Sequence, residues 1–266
     1  MFPSARLLRL LDVPFVGSSV LGSAVAMDKD ISKRLMSDAG LSVARHAAVR
    51  AEGRAALSFE AVVEHLGTPL FVKPANLGSS VGIAKVATRE EFEAAVRDAF
   101  RYDRKIVIEE FIAGREIECS VLGNARPIAS LPGEILPRRE FYSYEAKYLD
   151  DEGAELRIPA PIDEDSTRRI RESAIAAFRA VEAEGLARVD FFLREDGVPV
   201  VNEVNTLPGF TPISMYPKLW EATGITYREL LDRLIELAVE RHRDESRLVR
   251  DFAPMGVSIE GKEDVS

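Results

Sequence analysis

The stretch Leu186-Ala187-Arg188-Val189-Asp190-Phe191-Phe192-Leu193-Arg194-Glu195-Asp196-Gly197-Val198-Pro199-Val200-Val201-Asn202-Glu203-Val204-Asn205 decides the reading of this chain. Two apolar, strand-like runs flank Asp196-Gly197, and Asp-Gly between such runs is a strong hairpin signal. A two-residue turn there sets Asp190 opposite Glu203 and Arg188 opposite Asn205. Side chains alternate along a strand, so these four project from one face. Val189, Phe191, Val201 and Val204 then lie mainly on the other. Two carboxylates and an amide make an all-oxygen set for a hard divalent cation such as Mg2+, which fills its shell with phosphate oxygens and water. Arg188 beside them has the charge to neutralise a phosphate in transfer. The same residues also fit a solvated strand face balanced by an arginine ion pair. A bulge would move Asp190 off Glu203.

The rest of the composition narrows the field. The chain has 266 residues, 46% of them hydrophobic and 30% charged, with a formal net charge of −9. That is globular composition, and the length fits one large domain or two modest ones. The acidic balance argues against a nucleic-acid surface, yet leaves room for a local cluster of cations around a phosphate. Cys119 stands alone, so an intrachain disulfide or a cysteine zinc site is excluded. His46, His65 and His242 are too spread for a histidine-rich metal site. No apolar run approaches the length of a membrane span, so neither membrane nor nucleic acid is expected as a partner.

Several elements are legible along the chain. Arg6, Arg9 and the run Leu10 to Val16, with Ala24-Val25-Ala26 after it, imitate a secretory signal, but Asp12 and Pro14 interrupt it. A short helix (Ala5 to Leu11), a strand (Pro14 to Val16) and a glycine turn are expected instead. Asp28 to Asp38 reads as an amphipathic helix with Ile31, Leu35 and Met36 on its apolar side and Gly40 ending it. Strands are expected over Leu70 to Lys73, Val81 to Val86, Lys105 to Phe111 and Glu116 to Leu122. In the last of these Cys119 faces the core. Thr88-Arg89-Glu90-Glu91 is a capping box opening a helix with Phe92, Ala95, Val96 and Ala99 inward. Asp163 to Glu184 reads as a long helix ended by Gly185, and Tyr227 to His242 as another. Phe141 to Glu155 is aromatic and charged, the character of a functional loop. The mixture is α/β in content, expected as α+β lobes meeting near Ile108 to Ala113. The polar tail after Asp244 shows no apolar period and reads as disordered.

Two weaker features point toward phosphate. Asn76 to Gly82 is a glycine-serine loop whose backbone amides and serine hydroxyls could approach phosphate oxygens. It is neither a Walker A loop nor a dinucleotide fingerprint, and most such loops are plain turns. Lys29, Lys73 and Lys147 each sit in an unusual context, although a lone lysine is normally solvated surface.

In order along the chain, these pieces resemble the ATP-grasp superfamily, and within it the D-alanine–D-alanine ligases. The resemblance runs from about Leu7 to His242. It is carried by Gly17-Ser18-Ser19, Ala26-Met27-Asp28-Lys29, Phe71-Val72-Lys73-Pro74-Ala75, Gly78-Ser79-Ser80-Val81-Gly82, Ile108-Glu109-Glu110-Phe111-Ile112 and Gly114-Arg115-Glu116. Phe141 to Tyr148, Ala187 to Phe191, Asn202 to Thr211 and Ser214 to Pro217 continue it. The resemblance implies an ATP-grasp fold with the nucleotide between two lobes. Lys29, Lys73 and Lys147 would contact phosphates. Glu109 and the backbone near Glu110 and Ile112 would read the adenine edge. Glu116 would hold the ribose, and Phe192 would pack on the base. Asp190, Glu203 and Asn205 would hold two Mg2+, with Mn2+ as a substitute. The loop at Ser79 and Ser80 would cover the phosphates.

The implied reaction joins two D-alanines at the cost of ATP through an acyl phosphate, for peptidoglycan synthesis. Arg188 and the Gly209 backbone would hold the tetrahedral oxyanion, and Ser214 the second substrate's carboxylate. Tyr148, hydrogen-bonded to Ser79, would mark D-alanine as the acceptor. The family further implies a cytoplasmic homodimer. Expected divisions are 1–24 as the end of a substrate domain, 25–109 as a central lobe, 110–244 as a lobe with the metal site, and 245–266 as a tail. Family members carry an upstream domain with a Glu that grips the first D-alanine. Residues 1–28 contain no Glu, so a truncated chain with impaired ligation is the expectation. A non-catalytic ATP-binding subunit and another ATP-grasp dipeptide ligase are the alternatives.

Overall fold

The computed structural model of the chain describes residues 2–78, 81–137, 154–211 and 213–249. It opens with helices α1 (Phe2–Leu10), α2 (Val20–Met27) and α3 (Lys29–Asp38). A first unit follows: β1 (His46–Arg50), α4 (Phe59–Leu66), β2 (Leu70–Pro74), β3 (Ala84–Val86), α5 (Arg89–Tyr102) and β4 (Lys105–Glu110). A second contains β5 (Arg115–Gly123), β6 (Ile128–Ala129), β7 (Gly133–Pro137), β8 (Ala154–Arg157), α6 (Glu164–Ala180), β9 (Gly185–Leu193) and β10 (Pro199–Asn205). Helices α7 (Met215–Ala222) and α8 (Tyr227–Ser246) complete it.

Among the described residues the strands form two sheets. One is four-stranded, in the order β1-β4-β2-β3; the other is six-stranded, running β10-β9-β5-β7-β8 with β6 beside β5. Every strand pair in both is antiparallel. The lobes are therefore α+β, not a parallel α/β sheet. The capping box at Thr88 forms: Glu91 N donates to Thr88 Oγ1 at 3.3 Å and Thr88 N to Glu91 Oε2 at 3.2 Å. It starts α5, whose Phe92, Ala95, Val96 and Ala99 pack on Leu70, Val72, Ile106 and Ile108 of the small sheet. Helix α6 starts on Asp163, which accepts from Ser166 N at 2.8 Å. Its Ile170, Ala174, Ala177 and Phe178 cover Ile117, Cys119, Val121, Val189 and Phe191 of the large sheet. Cys119 is fully buried there, as its alternation in β5 requires.

The opposite face of the large sheet is covered only in part. Tyr216 and Trp220 of α7 and Leu230 and Leu234 of α8 pack on Leu122 and Leu186. Farther along β5 and β9, the positions of that face carry Ser120, Glu118, Arg188 and Asp190. That polar remainder forms the floor of the candidate site.

Where apolar periodicity was the guide, the outcome differs in places. No strand forms over Pro14 to Val16. The expected strand over Val81 to Val86 begins only at Ala84, after a turn. Helix α6 ends at Ala180, with Glu182 in the left-handed region, and Gly185 opens β9 instead of closing the helix. Helix α7 forms where no helix was expected; Pro217 fits because it occupies the first turn, where its missing N–H is not required. Helix α3 presents a different face from the expected one. Ile31 and Leu35 are exposed, and the buried positions are Lys29, Ser32, Lys33 and Met36. Ala26 and Met36, from residues grouped by sequence with the central lobe, belong to the core of the six-stranded sheet. Residues 138–153 lie outside the described residues, and with them most of the Phe141 to Glu155 loop; so do residues 250–266 of the tail.

Candidate active site

The β9–β10 hairpin carries the site. Arg194 N donates to Val198 O at 3.1 Å and Gly197 N to Arg194 O at 3.0 Å, with Gly197 at φ +76°. This is a three-residue loop with a left-handed glycine, not the two-residue turn that Asp-Gly alone implies. Beyond it Leu193 pairs with Pro199, Phe192 with Val200 and Phe191 with Val201. That register is one residue out from the expected one. Continued, it would set Asn202 opposite Asp190 and turn Glu203 toward buried Val189. A bulge between Val201 and Glu203 restores it, so Asp190 faces Glu203 and Arg188 faces Asn205 after all.

On the next strand Glu118 faces Asp190 and Ser120 faces Arg188. Arg188 Nε and Nη2 donate to the two Asp190 oxygens at 2.7 Å each, and Nε lies 3.0 Å from Glu118 Oε2. Burial works against the guanidinium charge, but Asp190 and Glu118 outweigh it and push its pKa upward. Arg188 is thus locked as a cation. A carboxylate has about four lone-pair sites, so a fork from Arg188 leaves acceptor capacity on Asp190. Asn205 Oδ1 accepts from Leu207 N at 3.1 Å, which fixes the amide. Two facing carboxylates and an ordered amide oxygen fit Mg2+ by donor chemistry. Among the described residues no group of three or more His, Cys, Asp or Glu is arranged to hold a metal.

The small sheet and α3 contribute the cations. Lys73 on β2 donates to Glu109 Oε2 on β4 at 2.8 Å, and Lys33 Nζ lies 3.5 Å from Glu109 Oε1. Burial raises the Glu109 pKa, but Lys33 and Lys73 outweigh it and hold it at about 2. Lys29 Nζ donates to Leu77 O, at the start of the glycine-serine loop, and its backbone N donates to Ala75 O at 3.0 Å. Burial lowers the Lys29 pKa, with Glu203 the leading charge in the other direction. Lysines of α3 and the small sheet therefore share one electrostatic neighbourhood with Glu203 of β10. Glu109 is thus held between two lysines, one on β2 and one on α3.

The remaining expected residues fall as follows. Glu116 and Phe192 stand opposite each other on β5 and β9, half-buried. Glu110 accepts from Arg45 N at 2.8 Å and Arg45 Nε at 2.7 Å, and Ile112 is half-buried in the connection to β5. Gly209 and Ser214 are neighbours: a Cβ on Gly209 would lie 2.8 Å from Ser214 Oγ. Ser214 Oγ also accepts from Thr211 N at 3.1 Å. Ser79, Ser80, Lys147 and Tyr148 lie outside the described residues. Lys33 was missed by sequence reasoning. Its signal was present in Lys29 and Lys33, four apart on the side of α3 that holds Met36.

Two antiparallel lobes, one presenting lysines and the other carboxylates, make this an ATP-grasp protein, and solved structures agree. The structure of the D-alanine-D-alanine ligase from Coxiella burnetii matches 93% of this chain and 66% of its own, at 42% identity and a TM-score of 0.81. That of D-alanine--D-alanine ligase from Bacillus anthracis complexed with ATP matches 91% of this chain and 76% of its own, at 30% identity and a TM-score of 0.76. Residues 35–236 match the family described as D-ala D-ala ligase C-terminus, and the chain belongs to that family. The D-alanine--D-alanine ligase of Oceanobacillus iheyensis is 57% identical over 242 residues. These cover 91% of this chain and 66% of that relative, so the chain spans just under two thirds of its length.

Proposed function

We propose that the protein acts in the ATP-dependent joining of two D-alanines to D-alanyl-D-alanine, a peptidoglycan precursor. The observation that carries this is Asp190 facing Glu203, with Arg188 and Asn205 beside them, across from the buried Lys29, Lys33 and Lys73. Membership of the ligase family supports it. The chain's own residues divide the work. Lys29 and Lys73 bind and orient the phosphates of ATP, with Lys147 and the Ser79–Ser80 loop as further contacts. Asp190, Glu203 and Asn205 hold two Mg2+, which when bound supply charge neutralisation at the phosphates; Mn2+ has the same donor preference. The first D-alanine's carboxylate takes the γ-phosphoryl group, giving an acyl phosphate and ADP. The amine of the second then displaces phosphate from the activated carbonyl.

Both steps concentrate negative charge, and Arg188 and the Gly209 backbone stabilise it. Ser214 orients the acceptor's carboxylate, and Tyr148 with Ser79 favours D-alanine there. Glu109, Glu110, Ile112, Glu116 and Phe192 form the adenosine end. No helix among the described residues is long and apolar enough to cross a membrane; a cytoplasmic homodimer is part of the proposal. The test is ADP release by this chain with ATP, Mg2+ and D-alanine, with chromatographic identification of the dipeptide. D-alanine-dependent release with dipeptide formation is expected, at the impaired rate that the sequence implies. ADP release that ignores D-alanine, or none at all, would overturn the reading.

A further inference from the structure

The β10 bulge gives the metal site its geometry, and one side chain outside the motif holds it. Lys33 on α3 is almost fully buried, and its Nζ donates to Asn202 O at 3.2 Å. Asn202 is the residue of β10 without an opposite number on β9, since the register shifts between Val201 and Glu203. A bulge leaves backbone groups outside the ladder, and the carbonyl of half-buried Asn202 takes Lys33 as its donor. The same Nζ lies 3.5 Å from Glu109 Oε1 on the small sheet.

The neighbouring contacts show why this point is held from α3. Val201 N donates to Ser42 O at 2.8 Å, and Val43 bridges to Val201 in parallel. The segment after α3 therefore borders β10 on the turn side of the bulge, and Lys33 grips it at the bulge. At its start α3 is tied to the small lobe. Lys105 Nζ bonds Asp28 at 2.6 Å and Asp30 at 3.0 Å, and Lys29 N bonds Ala75 O. Helix α3 is a strut between lobes, and Lys33 is its contact with both at once.

We infer that Lys33 is a positioning residue for the metal site: it fixes the bulge that turns Glu203 toward Asp190 and couples that bulge to Glu109 of the nucleotide lobe. This rests on the Mg2+-ATP reading above. Lys33 acts through Asn202 and Glu109 and needs no contact with substrate.

The test measures equilibrium binding of ATP to the full chain, with and without Mg2+, and the Mg2+ concentration that half-saturates the enhancement. Lys33→Met keeps the stem and removes the donor. It is expected to raise the half-saturating Mg2+ at least about tenfold, the usual effect of losing a group that orients a metal ligand. Affinity for metal-free ATP should change much less. Lys33→Arg, which restores charge and donor, should return to within about threefold of wild type. A merely structural lysine would lower the melting temperature and leave the Mg2+ dependence unchanged. If Lys33→Met fails to fold, Lys33→Gln, polar but too short to reach Asn202 O, takes its place with the same expectation. Wild-type Mg2+ dependence in the folded neutral variant, or equal impairment in Lys33→Arg, overturns the inference. Absence of any Mg2+ enhancement in the wild-type chain instead overturns the site reading itself, and the role of Lys33 with it.

Discussion

Glu203 stands opposite Asp190 because two one-residue offsets cancel. The three-residue loop at Glu195-Asp196-Gly197 shifts the hairpin by one, and the bulge at Asn202 shifts it back. Parity, not proximity, is what the bulge supplies, since a one-residue slip sends each side chain to the other face. Deleting Asn202 removes the extra residue, so Glu203 follows Val201 directly and stays opposite Asp190. The deletion variant is therefore expected to keep Mg2+-enhanced ATP binding, read by calorimetric titration with and without Mg2+. Loss of that enhancement in a folded deletion variant would show that the bulge supplies more than parity.

Asp190 serves Arg188 and, in the proposed function, a metal. Asp190→Asn removes the charge but leaves Arg188 its second carboxylate, Glu118, at 3.0 Å. The fold should survive, with Mg2+-enhanced nucleotide binding weakened more than about tenfold. Calorimetric titration of ATP with and without Mg2+ checks this. Equal loss in both titrations would instead point to a general collapse of the site.

Glu109 gives the protein an acid limb. Its folded pKa is held at about 2 against an ordinary 4.5: burial raises it, and Lys33 and Lys73 pull it down further than burial lifts it. A depressed carboxylate stabilises the fold above its unfolded pKa and loses that contribution as pH falls toward the folded value. Glu109→Gln should cost on the order of 3 kcal/mol at pH 7, because it also leaves buried lysines without their carboxylate. The gap from wild type should narrow as pH falls from about 5 toward 2. Urea unfolding across that range decides; a gap independent of pH would refute the linkage.

What the sequence disclosed depended on which assumption each element obeyed. The capping box at Thr88, the Phe92 face of α5 and buried Cys119 follow from local rules that no distant contact opposed. The pairing of Asp190 with Glu203 was legible although the turn length was misread, because the unseen bulge compensated. Lys33 was missed because periodicity places apolar residues inward, whereas α3 buries two lysines and exposes Ile31 and Leu35; the four-residue spacing of Lys29 and Lys33 was its one sign. Contacts to both sheets, Lys33 to Asn202 O and to Glu109, overrode amphipathicity there. Helix α2 was hidden too, since Val20 to Met27 is nearly all small and apolar and shows no face.

Cys119 offers a simple reporter of opening. Burial raises its pKa to about 12, and its Sγ lies 3.5 Å from Ser130 O. The thiolate is the reactive form, so the native thiol should resist a thiol reagent at pH 8 and label only as the large lobe unfolds. Stoichiometric labelling within minutes in native buffer would contradict that burial.

The last prediction separates two effects of opposite sign at Gly22. In an exposed helix, Gly→Ala stabilises by about 1 kcal/mol through helix propensity. In α2, however, a Cβ at Gly22 would lie 2.1 Å from Glu182 O, 2.8 Å from Glu182 C and 3.3 Å from Ala183 Cα. All three are backbone atoms, so no side chain can swing aside. Glu182 itself is left-handed at φ +55°, and the loop it belongs to is pinned from both sides. Ser18 Oγ donates to Glu184 O at 3.2 Å and accepts from Glu184 N at 3.0 Å, while Arg241 Nη1 donates to Glu184 Oε2 at 3.4 Å. Relief would require α2 to lift from β10 and break these bonds. Overpacking of this kind costs about 1–3 kcal/mol and more where backbone must move. Gly22→Ala should therefore lower the urea midpoint and, since Lys29 of the proposed phosphate site lies two residues beyond the end of α2, weaken ATP binding. A raised midpoint would mean that α2 is free to move and that propensity governs the position.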